Sequence, residues 1–295
     1  MASEQFVQYL ISGITSGSIY ALVGLGFTII YAVTKIINFA QGEFVMLGGL
    51  VSFTLIYRAG IPLVPALILA ILIAAAVGAA MYLLAIRPPK KASVVSLIII
   101  TIGVAMFVRG IAGQVLTKEF IRLPSFSGEK SISFLGASID PQALWIIGTM
   151  VMVTIILHLF LTYTMVGKAL KACAINPVAS SLVGINPKTM ALIAFVLAAA
   201  IGGIGGVVFA PLTLMSYQGG VMLGLKGFVA AAIGGFKSPV AAVIGGLLLG
   251  IIESFAVAAN WGPFTSAYKD AIALVVLLLI LLIRSGKLAE EERAG

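Results

Sequence analysis

The stretch from Pro62 to Ile86, PLVPALILAILIAAAVGAAMYLLAI, contains no charged residue and decides the fold. An α-helix needs roughly 20 apolar residues to cross the hydrocarbon core of a bilayer, whereas the strands of a membrane β-barrel alternate over about ten residues. A continuous apolar run of this length therefore predicts a membrane-spanning helix, because a helix satisfies every backbone N–H and C=O within its own segment.

The composition of the whole chain supports the same interpretation. Of the 295 residues, 61% are hydrophobic and only 9% are charged, whereas about 25% of the residues of a soluble domain are charged. Most of the outer surface must therefore face lipid. The net charge of +8 does not indicate a nucleic-acid partner, because the basic residues occur singly or in pairs in short loops, as the positive-inside rule requires.

Similar apolar runs occur on both sides of the opening stretch. The sequence predicts eight clear spans and one short, glycine-rich segment, Leu223 to Phe236, that we expect to be a re-entrant or half helix. The eight spans are Phe6 to Val33, Glu43 to Tyr57, Pro62 to Ile86, Val94 to Leu116, Ala143 to Tyr163, Thr189 to Leu214, Val240 to Ala259 and Tyr268 to Ile283. The predicted fold is therefore an all-α, polytopic bundle of about eight or nine spans, forming a single transmembrane domain over residues 1–295.

The basic residues of the loops predict the orientation of the bundle. They fall into three sets, which we place in the cytoplasm: Arg87, Lys90 and Lys91; Lys168, Lys171 and Lys188; Arg284 and Lys287. The loop over about 117–142, which carries charges of both signs, is then predicted to lie outside. The N-terminus lies outside as well if the short glycine-rich segment crosses the membrane.

Polar residues interrupt each hydrophobic half of the chain. The first interruption is Lys35 to Glu43, KIINFAQGE; the second is Gly219 to Gly227, followed by Gly234 to Pro239. Broken helices in corresponding halves of a membrane protein indicate a transport pathway, although both could instead be ordinary interfacial loops.

Ionisable residues within spans are costly and therefore mark candidate functional positions. We expect the pathway to include Asn38, Gln41, Gly42 and Glu43 of the first interruption, and Glu253, which lies inside a later span. Either carboxylate could instead bond to groups within the bundle. The basic side chains of Arg109 and Lys226 are expected to extend to the membrane interface, as long basic side chains near helix ends usually do.

The predicted cytoplasmic loop over about 165–189 contains the signals of a short helix. Asn176 is a strong N-cap, Pro177 suits the first helical position, and Gly184 suits the position after the C-cap. The intervening VASSLVG segment is too short to be stable in water by itself, and its apolar side chains could anchor a soluble partner. The alternative is an amphipathic connector that lies on lipid headgroups.

The stretch NFAQGE at Asn38–Glu43 and the loop GKALKACAINPVASSLVGIN at Gly167–Asn186 resemble the membrane subunits of branched-chain amino-acid ABC transporters. The resemblance is to the shorter of the two permease types, the LivH type, and covers nearly the whole chain. It implies a heterodimer of two related permeases in the bacterial inner membrane, with two cytoplasmic ATPase subunits and an extracytoplasmic substrate-binding protein. It also implies that the cytoplasmic loop fits a cleft on the ATPase. The implied contact residues are Lys171, Ala172, Asn176, Pro177, Ala179, Leu182, Gly184 and Ile185.

Several functions are disfavoured by what the sequence lacks. It has no GxxxxGK[ST] segment, so ATP and magnesium are expected only in partner subunits and no cofactor is expected in this chain. One histidine and one cysteine supply neither a metal site nor a nucleophile–base pair, so we expect a transport subunit rather than an enzyme. An ion-coupled secondary transporter is the alternative, disfavoured by the scarcity of carboxylates within the spans. The substrate, and whether the second permease is a paralogue or another copy, stay open.

Overall fold

The computed structural model describes residues 3–89, 92–128, 130–134, 136–236, 238–259 and 270–279. The helices are α1 (Ser3–Thr34), α2 (Gln41–Tyr57), α3 (Leu63–Met81, continued by a π-helical turn over Tyr82–Ile86), α4 (Val94–Val115), α5 (Pro141–Tyr163), α6 (Met165–Ile175), α7 (Pro177–Leu182), α8 (Pro187–Phe209), α9 (Gly220–Ile233), α10 (Pro239–Ala259) and α11 (Asp270–Leu279). A hairpin of β1 (Ile132–Phe134) and β2 (Ala137–Ile139) lies in the predicted outer loop.

The all-α polytopic prediction is confirmed. The predictions for Lys90, Lys91, Arg284 and Lys287 lie outside the described residues, as do both ends of the last predicted span.

Within the described ranges, six helices are long and apolar enough to cross a membrane. They are α1, α3 with its π-helical turn, α4, α5, α8 and α10. The remaining apolar helices, α2, α9 and α11, are shorter. The segment predicted as a second complete span is thus a helix of 17 residues, and it begins inside the protein rather than at its surface.

The centre of the bundle is α1, which packs against α8, α9 and α10. Its contact with α10 is close because small residues face each other: a Cβ atom on Gly17 would lie 2.8 Å from the carbonyl oxygen of Gly246. Such small-residue packing is typical of membrane helices, which lack a hydrophobic driving force for association in lipid. Helix α4 lies at the periphery and is exposed along most of its length.

The two ends of α1 identify the two sides of the bundle. Near its N-terminus, Gln8 exchanges hydrogen bonds with the backbone of Ser138 in the β-hairpin, at 2.8 and 3.1 Å. Beyond its C-terminus, the ammonium of Lys35 donates to the carbonyl of Ala174 in α6 at 3.3 Å. At 32 residues, α1 is about 48 Å long, which exceeds the thickness of a hydrocarbon core. The predicted outer loop and the predicted cytoplasmic loop therefore lie at opposite ends of α1.

Candidate functional site

The first polar interruption brings the chain back into the middle of the bundle. Lys35 adopts a left-handed backbone conformation with φ 57° after α1 ends, and α2 begins at Gln41. The side-chain amide of Gln41 donates to the carbonyl of Ala198 at 2.9 Å, and Ala198 lies midway along the spanning helix α8. Helix α2 therefore starts at about half the depth of the bundle and runs toward the outer side, where Gly49 meets Met215.

Helix α9 repeats this arrangement in the opposite direction. The chain leaves the outer end of α8 and begins α9 at Gly220, whose carbonyl oxygen is in contact with Gly42. Helix α9 then runs inward, and the ring of Phe236 just after it stacks on Tyr31 near the inner end of α1. The N-termini of two helices, approached from opposite sides, thus meet at Gly42 and Gly220. Irregular backbone at this depth is tolerated where protein or a water-filled cavity surrounds it.

A buried ion pair lies beside this meeting point. The guanidinium of Arg109, on α4, donates from Nη2 and Nε to Oε1 of Glu43 at 2.7 and 3.2 Å. The Glu43 side chain is only 2% exposed and that of Arg109 is 26% exposed. A cavity of about 130 Å³ opens here, lined by both residues together with Phe39, Val221 and Gly224. Because charged groups in hydrocarbon are costly, this face of the bundle is expected to border water or protein rather than lipid.

Three buried polar atoms at the start of α2 have no hydrogen-bond partner among the described residues: Asn38 Nδ2, Gln41 Oε1 and Glu43 Oε2. The other polar atom of the Asn38 side chain, Oδ1, accepts from the backbone N–H of Ala40 at 3.0 Å. Buried polar groups are bonded in the large majority of cases, so three unpaired atoms within six residues are unusual. These atoms are available to water, to a passing solute or to new partners when the helices move.

Glu253 belongs to a second charged cluster, on a different side of α9. The ammonium of Lys226 donates to Glu253 Oε1 and to Asp270 Oδ1, both at 2.7 Å, and to the hydroxyl of Tyr20 at 3.2 Å. That hydroxyl donates to Glu253 Oε2 at 2.6 Å. The cluster joins α1, α9, α10 and α11, and it borders a cavity of about 340 Å³. Glu253 itself is fully buried beneath this cavity.

The expectation that Arg109 and Lys226 extend to the interface is wrong. Both basic side chains stay inside the bundle because each pairs with a buried carboxylate, Glu43 or Glu253. The sequence contained a signal for this burial of the basic side chains, because a carboxylate within a span requires a cation at the same depth. The sequence analysis also missed Tyr20 and Asp270, for which no local pattern distinguishes a functional residue.

Aromatic side chains close the inner side of the site. The ring of Phe228 packs on those of Phe27, Phe39 and Phe236, with centroids 5.7 to 5.8 Å apart, and Phe236 packs on Tyr31 at 4.8 Å. Phe39 also lines the cavity beside Glu43. These five residues, which we call the aromatic layer, separate the meeting point of the half helices from the inner end of α1.

The loop predicted to be cytoplasmic forms the predicted short helix. Oδ1 of Asn176 accepts from the backbone N–H groups of Val178 and Ala179, each at 3.0 Å. Pro177 is the first residue of α7, which ends at Leu182. Gly184 follows in a left-handed conformation with φ 86°, as expected after a C-cap. The local structure predicted from Asn176, Pro177 and Gly184 is therefore confirmed.

The residues that the family resemblance assigns to ATPase contact lie mostly on the surface of this loop. Ala172 and Ile185 are partly buried against the bundle, and the other six are exposed: Lys171, Asn176, Pro177, Ala179, Leu182 and Gly184. The apolar side chains here are unusually open, with Leu182 84% exposed and Val183 76% exposed. An exposed apolar surface rimmed by polar residues is typical of a protein interaction site. Elsewhere in the described chain, no three His, Cys, Asp or Glu side chains are grouped as a metal site would require.

Comparison with known proteins places this arrangement in a family. Residues 9–281 match the model of the family described as "Branched-chain amino acid transport system / permease component". The chain is 34% identical to the high-affinity branched-chain amino acid transport system permease protein LivH of Escherichia coli, over 95% of each chain. It is 31% identical to the corresponding permease BraD of Pseudomonas aeruginosa, over 95% of this chain and 94% of that one.

A solved structure shares the fold. PsaBC from Streptococcus pneumoniae, determined in complex with Fab, aligns with 95% of this chain and 91% of its own chain, at a TM-score of 0.52 and 13% identity. At that identity the likeness concerns the fold alone. The family match over most of the length and the two full-length relatives agree with the resemblance seen in the sequence. The chain belongs to the family of permease components of branched-chain amino acid transport systems.

Proposed function

We propose that this chain is the permease subunit of an ABC importer in a bacterial inner membrane, and that it forms the translocation pathway for branched-chain or closely related amino acids. The observation that carries the ATP-driven part of the proposal is the exposed apolar surface of α7. A six-residue helix that presents Leu182 and Val183 to solvent is marginal by itself and is suited to a partner that covers it.

The partners follow from the same surface and from the family. Two cytoplasmic ATPase subunits supply ATP hydrolysis and hold the magnesium, a second related permease completes the membrane domain, and an extracytoplasmic binding protein delivers the substrate. This chain then contributes a passive pathway and no catalytic group. Its relatives are named as permeases for branched-chain amino acids, which is the support for this substrate class.

The pathway passes the meeting point of α2 and α9. Its support is the combination of the Glu43–Arg109 pair, the unpaired atoms of Asn38 and Gln41, and the cavity beside them. The aromatic layer lies on the inner side of these groups, and its packing supports a role for it as the closure of the pathway toward the cytoplasm. Movement of α7 by the ATPases would be transmitted through α6 and α8, which flank it, to the helices that hold this layer.

The proposal is tested by purifying the tagged chain from its native membranes and identifying the proteins that accompany it. Stoichiometric ATPase subunits and a second permease are expected. The purified assembly, reconstituted in proteoliposomes with its binding protein, should accumulate radiolabelled L-leucine only when ATP is supplied on the ATPase side. Recovery of the chain alone, in a stable and homogeneous form that transports leucine without ATP, would overturn the proposal.

A further inference from the structure

Among the described residues, the members of the charged cluster around Lys226 bond mainly to one another. Lysine has three donor hydrogens, and those of Lys226 are directed at Glu253, Asp270 and Tyr20. Both carboxylate oxygens of Glu253 are also used, by Lys226 and Tyr20. The side chain of Asp270, by contrast, bonds to Lys226 through Oδ1 and is 49% exposed. Asp270 is therefore the most exposed of the three cluster members that line the neighbouring cavity, the other two being Tyr20 and Lys226.

The charge of the cluster favours a cation. Lys226 carries one positive charge, while Glu253 and Asp270 together carry two negative charges, so the described members of the cluster have an excess of one negative charge beside the cavity. An ammonium group on a ligand would neutralise this excess through a charge-assisted hydrogen bond to the exposed side of Asp270. A carboxylate would find no free donor on Lys226 and would be repelled by Asp270.

The rest of the cavity suits a small aliphatic group. Its volume of about 340 Å³ is at the lower end of the range for small-molecule sites. Apolar side chains from α1, α8, α9 and the segment that precedes α9 supply most of the wall: Ile19, Phe209, Leu212, Met222 and Leu223. The hydroxyl-bearing residues Ser16 and Thr213 line the same cavity and offer donors for a carboxylate held away from Asp270.

We propose that the cavity between α1, α9 and α11 binds an aliphatic amino acid in transit, with its ammonium group on Asp270 and its side chain against Leu223 and Phe209. The inference rests on the proposed transport function and adds to it the binding site and its chemical requirement, a free ammonium group. Because residues at the outer end of α8 line the cavity, its mouth lies on the outer side of the bundle. The site thus receives substrate while the aromatic layer is closed.

The test uses a cysteine at the cavity wall in the complete reconstituted transporter. Met222→Cys, at a cavity-lining position that is 40% exposed and supplies no polar group, is labelled with a membrane-impermeant maleimide, without ATP, in the presence of millimolar L-leucine, 3-methylbutylamine or 4-methylpentanoate. The native cysteine, Cys173, is buried, and unlabelled wild-type chain verifies that it does not contribute. Lys118→Cys, on the exposed outer loop, is the control for reagent reactivity.

We expect L-leucine and 3-methylbutylamine, which both carry an ammonium group, to slow labelling of Met222→Cys several-fold. 4-Methylpentanoate, which has the leucine skeleton without that group, should have no effect. Adding Asp270→Asn should raise the leucine concentration needed for protection by about tenfold or more, as expected for the loss of a hydrogen bond to a charged group. The matched control Glu119→Gln, on the exposed outer loop, should leave protection unchanged.

Equal protection by 4-methylpentanoate, unchanged protection in Asp270→Asn, or no protection by leucine would overturn the assignment of the site. ATP-driven leucine uptake is measured in the same proteoliposomes. This measurement distinguishes a failure of the proposed binding site from a failure of the proposed importer function. Uptake without protection refutes the proposed binding site but not the proposed importer function. Protection without ATP-dependent uptake supports the site and refutes the importer.

Discussion

Gly42 and Gly220 are in backbone contact at the point where two helices, entered from opposite sides of the bundle, begin. A Cβ atom on Gly42 would overlap the carbonyl oxygen of Gly220 and would also lie 2.8 Å from the Cα of Gly224. The neighbouring atoms are backbone atoms, which cannot move aside as the tip of a flexible side chain can. The approach of the two half helices therefore requires glycine at position 42.

Replacing this glycine should disturb the assembly of the bundle. We expect Gly42→Ala to destabilise the protein by about 1–3 kcal/mol, the usual cost of forcing extra atoms into a well-packed site, and to abolish uptake. Thermal aggregation in detergent, followed by fluorescence-detected size exclusion, measures the first effect. Gly103→Ala is the matched control, because a Cβ atom on this helical glycine meets no other atom within 4 Å. An unaltered melting temperature for Gly42→Ala would contradict the close contact.

The buried pair of Glu43 and Arg109 should behave as a unit. Removing one partner of a buried ion pair leaves an uncompensated charge and costs about 3–5 kcal/mol, whereas replacing both partners with apolar or neutral groups is often tolerated. We therefore expect Arg109→Met to be far less stable than the double variant Glu43→Gln with Arg109→Met. A double-mutant cycle on melting temperature checks this, and additive effects would show that the two side chains do not interact.

The hydroxyl of Tyr20 bonds to two of the three charged members of the second cluster, Glu253 and Lys226. Tyr20→Phe should destabilise the protein by about 1.5–3 kcal/mol, the range for a hydrogen bond to a charged group, because Oε2 of Glu253 then loses its donor at 2.6 Å. Tyr57→Phe, which removes a hydroxyl from an exposed side chain, serves as the comparison. Equal melting temperatures for the two variants would argue against the network.

The exposed apolar surface of α7 should matter for coupling and not for folding. Leu182→Asp is expected to leave the protein in the membrane at normal levels while abolishing ATP-driven uptake and co-purification of the ATPase subunits. Phe120→Asp, at an exposed aromatic on the outer loop, is the matched control and should retain both. Full uptake by Leu182→Asp would show that α7 is not part of the coupling surface.

The conformation of this loop gives a separate test of the same surface. Gly184→Pro should uncouple transport, because proline is confined to φ near −65° and Gly184 has φ 86°. Asn176→Leu should weaken α7 by about 1 kcal/mol through loss of its N-cap and reduce uptake as well. Both variants are expected to reach the membrane, as measured by immunoblotting of membrane fractions. Normal uptake by both would be inconsistent with a coupling role.

The aromatic layer should hold the inner side of the pathway shut. Phe228 contacts three other rings of the layer, so Phe228→Ala should open a gap and permit leakage of preloaded leucine from proteoliposomes without ATP. Phe53→Ala, whose ring packs on Tyr57 away from the layer, is the control. Identical leak rates for the two variants would place the closure elsewhere.

Local signals were sufficient for much of the fold. The apolar runs predict the spanning helices because the bilayer forces long hydrophobic segments to be helical, and the cytoplasmic helix follows from Asn176, Pro177 and Gly184, whose effects act within one turn. The same reasoning predicted the first interruption, between α1 and α2. The prediction of a second interruption at Gly219 to Gly227 is wrong, because α9 begins at Gly220 and the break precedes it, over 210–219. The second predicted span, Glu43 to Tyr57, corresponds to α2 (Gln41–Tyr57), but a hydrophobic run does not reveal that this helix starts in the middle of the bundle.

The charged partners could not be predicted in the same way. Glu43 pairs with Arg109 across 66 positions of the chain, and Glu253 pairs with Lys226 and, across 233 positions, with Tyr20. Arg109 and Lys226, taken alone, suggest interfacial side chains. With Glu43 and Glu253 they are stable at depth because opposite charges meet there. Such pairing depends on which helices are neighbours, and no local pattern encodes that.

The sequence by itself determined that the chain is a multi-span helical membrane protein of this permease family, because hydrophobic length and short motifs act locally. Only the tertiary structure decided that two half helices meet at Gly42 and Gly220, that Arg109 and Lys226 pair with Glu43 and Glu253, and that Asp270 lines a cavity. Those features arise from long-range packing, in which small residues allow close approach and buried charges are retained only where a partner lies within hydrogen-bonding distance.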